Sequence, residues 1–454
     1  MSRLERVFAH IEAKQGDYLQ DLFHLIRHPG ISARVEGLEA SARATCQVLH
    51  KAGFDDVRIL WGGDNPCVYG RINGPPHSPT LLIYGHHDVQ PPEPLEEWLS
   101  PPFEPTLRDG RIYGRGTADA KGQWSCHAFA LQAMVEVLGQ LPLSVIMFID
   151  GQEESAGPYL PQIVEENQHL LQADAMYTSD GPFDVSGRPV IYCGVRGYLA
   201  VELKLRTAAR DLHSGHWGGL APNPALHLMP LITALRDEKG VQQLPGFYDD
   251  VRPMGAREKA ALSTIPFDPE QVKRSVGIQH FDEPRHRHPL ENLMYQPAFN
   301  VAAFHAGYGG EGLAGSIPCE AVAKLDWHLV ADQDAHKIFE SLVDFVKERE
   351  PDCEVKRLGL FQPHRTDLDD PYIAQIGNAV NRIWGEAPIV YPSIGGGGPD
   401  AFFARPLGIP TVVVPYGNPD EQNHAPNENF RLDCWLRGMK TSASVFWELA
   451  HAAK

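Results

Sequence analysis

The chain has no C-x-x-C pair. Its seven cysteines (Cys46, Cys67, Cys126, Cys193, Cys319, Cys353, Cys434) stand singly, without the spacing of a thiolate metal site or a disulfide framework. Reduced thiols, and with them a cytoplasmic setting, are the expectation. Long apolar runs are also missing. The longest, such as Leu143–Ile149 and Thr411–Pro415, fall far short of the ~20 residues that span a bilayer, so no membrane partner is expected. The N-terminal stretch MSRLERVFAHIEAKQ is charged throughout, which argues against a secretory leader. Positive charge is in short supply: the formal net charge is −18. Phosphate contacts need clustered Lys and Arg, so nucleic acid is not an expected partner. Repeats are absent as well, and the only glycine tract is Gly395–Gly398.

What is present is a globular chain of 454 residues with 43% hydrophobic content, long enough for two or three domains. Apolar spacing predicts helices over Leu4–Arg27, Glu36–Ala52, Asp119–Leu138, Tyr159–Leu171, Pro371–Trp384 and Cys434–Ala453. Short strands are predicted at Val57–Trp61, Cys67–Arg71, Thr80–Tyr84, Leu143–Ile149, Ala173–Thr178 and Pro410–Pro415. Buried strands alternating with helices imply an α/β domain with a mostly parallel sheet. The middle reads differently. Tyr198–Arg206 and Ala321–Val330 alternate as half-exposed strands, and each is followed by a helix, Ala225–Arg236 and Gln333–Glu348. That order predicts an inserted α+β domain over 197–362, leaving 1–196 and 363–454 as the catalytic domain. Within the insert, Asp237–Leu293 is rich in Pro, Gly and charge and reads as an irregular excursion.

The chemistry-bearing residues collect at strand ends. TLLIY is followed by GHHD, with His86, His87 and Asp88; LSVIMFI by DGQEE, with Glu153 and Glu154; ADAMYT by Ser179-Asp180; and PTVVVPY by NPDEQNH, ending at His424. Asp119 closes the turn GRGTAD just before a helix. In open α/β sheets the carboxyl ends of strands are where ligands bind. Histidines with carboxylates form the N/O donor set of zinc, with manganese or cobalt as substitutes. An extended GHHD sends His86 and Asp88 to one side and His87 to the other, so that Asp88 can fix the His86 tautomer. Of the Glu153-Glu154 pair, one is suited to ligate metal and the other to act as general base.

GHHDVQP, GRGTADAKG, the glutamate pair, SDGP, DLHSG and NHAPNE together resemble the co-catalytic metallopeptidase family of carnosinase-like dipeptidases, aminoacylase, acetylornithine deacetylase and carboxypeptidase G. The resemblance covers the whole chain and keeps the family's motif order. It implies two Zn2+ per subunit, one held by His86, Asp119 and Asp180, the other by Asp119, Glu154 and His424, with Asp119 bridging. It further implies that Glu153 activates the shared water, that Asp88 orients His86, and that His213 reaches into a partner's site in a homodimer formed through the lid domain. Asn300, His328 and the backbone at Gly396 and Gly397 are the expected substrate contacts.

Several features test that resemblance. GRGTADAKG looks like a phosphate loop but lacks the G-K-[ST] ending. The run RHRH at Arg285–His288 reads as a solvated loop. Ala120 follows the bridging aspartate where relatives carry an acid or Asn. His328 stands where dipeptidase-like relatives carry an arginine for the substrate carboxylate, leaving Arg365 or His328 itself for that role. GGGPDAFF resembles the deacylase branch, while the longer GFYDDVRPM excursion resembles the dipeptidase branch. The expected substrate is therefore a dipeptide or small peptide, the alternative an N-acyl amino acid. A metal-binding scaffold without activity is disfavoured by the intact Glu153.

Overall fold

The computed structural model describes residues 1–281 and 287–452; Arg285 and His286 of the RHRH run lie outside them. The chain divides into two compact units. One is Met1–Cys193 with Thr366–Pro392 and Phe402–Lys454, the other Gly194–Arg365 with Ser393–Ala401. The glycine tract, expected in 363–454, thus clusters with the second unit.

The first unit is built on an eight-stranded sheet. Ser144–Asp150, Thr80–His86, Ala175–Thr178 and Thr411–Val413 lie side by side and run parallel. The antiparallel hairpin Asp56–Gly62 and Asn65–Ile72 continues the sheet on one side. Val190–Tyr192, antiparallel to Thr411–Val413, and Ile389–Tyr391 continue it on the other. This is the mostly parallel α/β sheet expected. The strands are apolar on both faces because both are covered. Leu81 and Ile83 point into a core shared with Leu22, Trp124, Ile376 and Trp435, from four helices. Leu82 and Tyr84 point into the opposite core with Leu160, Ile163 and Phe403. Each such side chain, fully buried, contributes about 2 kcal/mol, so the parallel strands form a firm base for whatever their ends carry.

Element ends follow local chemistry. Asp370 accepts from the Tyr372 amide, Pro371 occupies the first helical position and Gly385 turns left-handed at φ 78°, bounding Pro371–Trp384 as the sequence predicts. The single long N-terminal helix expected is instead two, Arg3–Ala13 and Gln15–Ile26, broken at Lys14 (φ −96°, ψ 5°).

The second unit holds a four-stranded antiparallel sheet in the order Ala298–Ala306, Glu320–Leu329, Gly197–Arg206, Glu354–Phe361. Alternate residues (Leu199, Val201, Leu203 and Ala323, Leu325, Trp327) pack against helices Pro224–Thr233 and Ala335–Arg349. The two outer strands were not anticipated. Nor were three short helices, Ala256–Thr264, Pro269–Val276 and Pro289–Tyr295, in the stretch expected to be irregular.

Candidate metal centre

Parallel register puts His86 opposite Asp150 and Tyr84 opposite both Phe148 and Thr178. The segments that follow, carrying Asp88, Glu153, Glu154 and Asp180, therefore leave the sheet at one edge. His424 comes from the loop beyond Thr411–Val413, and Asp119 from the turn before the helix Lys121–Leu138. Seven of the residues singled out in the sequence meet here.

Two groups form, and Asp119 belongs to both. Its Oδ1 lies 3.1 Å from His86 Nε2, which is also 3.3 Å from Asp180 Oδ2. Its Oδ2 lies 3.0 Å from His424 Nε2, itself 3.2 Å from Glu154 Oε2. One carboxylate thus offers an oxygen to each group. Asp88 does more than the sequence suggests. His86 Nδ1 faces its backbone oxygen at 3.1 Å and its carboxylate at 3.4 Å. That carboxylate also accepts the backbone amides of Glu153 and Glu154 at 3.2 and 3.1 Å, tying two strand ends together. His87 faces the other way, as the period of two requires, with Nε2 2.9 Å from the Pro66 carbonyl oxygen. Burial pushes its pKa down to about 4, which keeps it neutral.

The electrostatics are those of acids crowded out of water. Burial disfavours a charged His86, yet hydrogen bonding to Asp119, Asp180 and Asp88 outweighs this and raises its pKa well above the ordinary value. Burial, followed by the Asp119 charge, raises Asp180. Burial likewise raises Glu154 and lifts Glu153 far above a normal glutamate. Asp119 goes the other way: His424 and His86 overcome its desolvation and hold it well below the usual carboxylate range.

Two supporting residues escaped the sequence reading. Glu428, the last letter of NHAPNE, is fully buried and accepts from the backbone amides of Gly116, Ala118 and Asp119. Its second oxygen pairs with Arg115 at 2.8 Å. It is this carboxylate that shapes the turn GRGTAD; the amides that would cradle a phosphate bind Glu428 instead. Gln123 donates to the carbonyls of Ala118 and Gly181 and accepts from the Tyr416 amide, so it links three of the contributing segments. Glu428 had only its place in NHAPNE as a signal, and Gln123, one residue beyond GRGTADAKG, had none.

The remaining expected residues lie in the second unit. His213 is exposed, accepts from the Gly215 amide through Nδ1 and stacks on His216 at 4.3 Å. Asn300 donates to Asp326 at 3.0 Å, and His328 Nε2 lies 3.8 Å from the same acid. Gly396 accepts from the Arg196 amide at 2.8 Å, and a Cβ on Gly397 would lie 3.4 Å from the Arg196 carbonyl oxygen. That is ordinary contact distance, and a Cβ on Gly396 would meet nothing within 4 Å. Arg365 is already engaged, 3.3 Å from Glu258 and over the Tyr295 ring.

The chain is similar to known proteins along nearly its whole length. The chain is 26% identical to a human Beta-Ala-His dipeptidase, over 98% of this chain and 93% of that enzyme. It is 26% identical to the Cys-Gly metallodipeptidase DUG1 of Saccharomyces cerevisiae, over 97% of each. Among solved structures, an M20 family metallo-carboxypeptidase, Sso-CP2 from Sulfolobus solfataricus, superposes with a TM-score of 0.87 at 32% identity, covering 95% of this chain and 99% of that one. Human carnosine dipeptidase 1 superposes with a TM-score of 0.75 at 25% identity, covering 99% of both chains. Residues 82–448 match the family model described as Peptidase family M20/M25/M40, a span that contains every residue of the two-group centre, and the chain belongs to that family of metallopeptidases.

Proposed function

We propose that the protein hydrolyses the peptide bond of dipeptides or small peptides with two zinc ions, one held by His86, Asp119 and Asp180 and the other by Asp119, Glu154 and His424. The observation that carries this reading is Asp119, whose two oxygens face two separate histidine–carboxylate groups. The donors fit the ions. They are imidazole and carboxylate without thiolate, and His86 Nε2 is buried facing carboxylate oxygens of Asp119 and Asp180. Manganese or cobalt suits the same set. When bound, a metal pair supplies a lowered pKa for water and polarisation of the scissile carbonyl.

The chain's own groups do the rest. Glu153 takes a proton from the attacking water and delivers it to the leaving amine. Its burial favours the protonated form once that proton arrives. Asp88 holds the His86 ring and the Glu153 backbone in one arrangement. His213 stabilises the developing oxyanion of the partner's site in a homodimer formed through the second unit, while Asn300, His328 and the backbone at Gly396 and Gly397 hold substrate. Support for the dimer comes from the edge strand Ala298–Ala306, whose side chains are mostly exposed, Val301 and Phe304 included. All seven cysteines are free, which supports a reducing, cytoplasmic setting. Among the described residues no helix is long and apolar enough to cross a membrane.

The test is hydrolysis by zinc-loaded protein across dipeptides and N-acetyl amino acids, with Glu153→Gln alongside. The variant is expected to keep its zinc and lose about 10²–10⁴ in kcat. Zinc bound at full stoichiometry with hydrolysis unchanged in Glu153→Gln would sink the reading.

A further inference from the structure

Lysine is rarely buried without a carboxylate beside it. Lys121 is 1% exposed, yet its ammonium forms no ion pair among the described residues. It donates instead to the carbonyls of Leu25 and His28, at 2.9 and 2.8 Å, and to the Ser41 hydroxyl at 3.0 Å. An ammonium has three donors and no acceptor, so all of its hydrogens are used. Leu25 lies in the last turn of Gln15–Ile26 and His28 just beyond its end, where the helix dipole concentrates negative potential. Burial works against the charge, while the Asp88 carboxylate favours it.

Ser41 passes this anchor on. Its hydroxyl accepts from Lys121 and donates to the His87 carbonyl at 2.9 Å. The His87 amide donates to the Asp150 carbonyl at 2.8 Å, and its ring faces the Pro66 carbonyl at 2.9 Å. The sheet thus fixes two of its polar groups, and Ser41 alone among the described residues fixes the third. Lys121 stands two residues after Asp119, and His87 directly follows His86. The relay Lys121–Ser41–His87 therefore joins the turn carrying Asp119 to the strand end carrying His86, behind the 3.1 Å approach of Asp119 Oδ1 to His86 Nε2. All three relay residues are buried, so water does not compete for their hydrogen bonds. Among the described residues none of the three hydrogen-bonds to Glu154 or His424, the donors peculiar to the other group.

We propose that Lys121 and Ser41 are positioning residues that set the affinity of one zinc ion, the one held by His86, Asp119 and Asp180. This rests on the two-zinc reading above and assigns the relay to one side of it. Neither residue is a metal donor. Without the Ser41 hydroxyl, the His87 carbonyl becomes a buried acceptor lacking a donor, a costly state that its peptide relieves by turning. That turn is handed to the adjoining His86. The turn carrying Asp119 stays where Glu428 holds it, through the amides of Ala118 and Asp119. Loss of a residue that orients a ligand lowers metal affinity by about 10–100-fold, and here the loss falls on one ion.

The experiment titrates zinc into the full-length chain against a chromophoric chelator. His424→Ala leaves the His86 side as the intact zinc group, and His86→Ala leaves the other. Ser41→Ala is expected to weaken zinc binding by about tenfold or more in the His424→Ala background and to leave it almost unchanged in the His86→Ala background. Cobalt in place of zinc gives a spectroscopic reading, whose absorption bands should shift with Ser41→Ala in the first background alone. Lys121→Met keeps the aliphatic stem and is expected to act in the same direction, with a lower melting temperature because two buried carbonyls lose their donor. Should that variant fail to fold, Ser41→Ala still decides the matter. Equal loss in both backgrounds means a general loosening and overturns the relay, as does no loss in either; the two-zinc reading survives both results. Should a single-site variant bind no zinc, the comparison moves to wild type, where Ser41→Ala must weaken one of two binding steps; a change in both or neither overturns the relay. Wild type binding fewer than two zinc ions overturns the relay together with the two-zinc reading.

Discussion

At the scale of single residues, the centre behaves as a proton trap until metal arrives. Hydrogen bonding to Asp119 and then Glu154 raises the His424 pKa to about 10, and His86 is raised well above its ordinary value. A histidine whose folded pKa exceeds its unfolded value of about 6.5 contributes stability that is fully present below that pH. The contribution is lost as pH climbs through the folded value. The raised carboxylates of Glu154 and Asp180 act in the same sense, because the folded state holds more protons than the unfolded one. Asp119, held low, matters only at acid pH. Metal-free protein is therefore expected to lose thermal stability between about pH 6.5 and about pH 10. The zinc-loaded form should resist that loss, because metal binding displaces those protons. Melting temperatures with and without chelator check this: the gap must widen as pH rises, and a narrowing gap contradicts the proton inventory. Four of the metal-type ligands, His86, Glu154, Asp180 and His424, were legible because each terminates or follows a strand, and Asp119 because it closes the turn before a helix. Glu428 was not, since nothing in NHAPNE distinguishes a surface glutamate from one that accepts three amides and a guanidinium.

At the scale of elements, legibility followed burial and caps. Thr80–His86 and Ser144–Asp150 are buried almost throughout and stand out as apolar runs, while Pro371–Trp384 is bracketed by its own capping residues. The strands Ala298–Ala306 and Glu354–Phe361 lie at the two edges of their sheet. Most of their side chains are exposed or half-exposed on both faces, so the alternation that marks a strand is missing. The three helices in the Pro-rich stretch have at most nine residues, too short for a helical period to emerge. The turn-to-helix element GRGTADAKG carries its own prediction. Gly122 is the second residue of Lys121–Leu138, and a Cβ there would overlap the Thr117 carbonyl oxygen and press on the Phe430 ring. Alanine has the better helix propensity by about 1 kcal/mol, so at an open helical site Gly→Ala would stabilise. Here overlap with rigid backbone decides the sign. Gly122→Ala is expected to destabilise the metal-free protein by about 1–3 kcal/mol and to weaken zinc binding by shifting Asp119. Urea unfolding and zinc titration read the two effects, and a variant as stable as wild type would show the turn to be more pliable than its contacts imply.

At the scale of the whole molecule, the proposed dimer ties the second unit to catalysis. Helix Pro224–Thr233 buries Leu228, Leu231 and Ile232 against its sheet, yet Leu226 and Met229, three residues apart on another face, are 65% and 44% exposed. The edge strand Ala298–Ala306 adds Val301 and Phe304 at 43% and 40%, together with backbone groups that no further strand pairs among the described residues. An apolar helix face and an open sheet edge are what a soluble chain covers or blunts, and a second copy of the chain would cover both. Wild type is expected to sediment as a dimer at micromolar concentration, and the double variant Leu226→Lys with Val301→Lys as a monomer. If His213 acts in the partner's site, the monomer keeps both zinc ions and its melting temperature but loses hydrolysis, and mixing it with His213→Ala protein restores nothing unless mixed dimers form. A monomeric wild type with full activity would separate the two ideas, removing the dimer and returning His213, exposed and stacked on His216, to a structural role in its own turn.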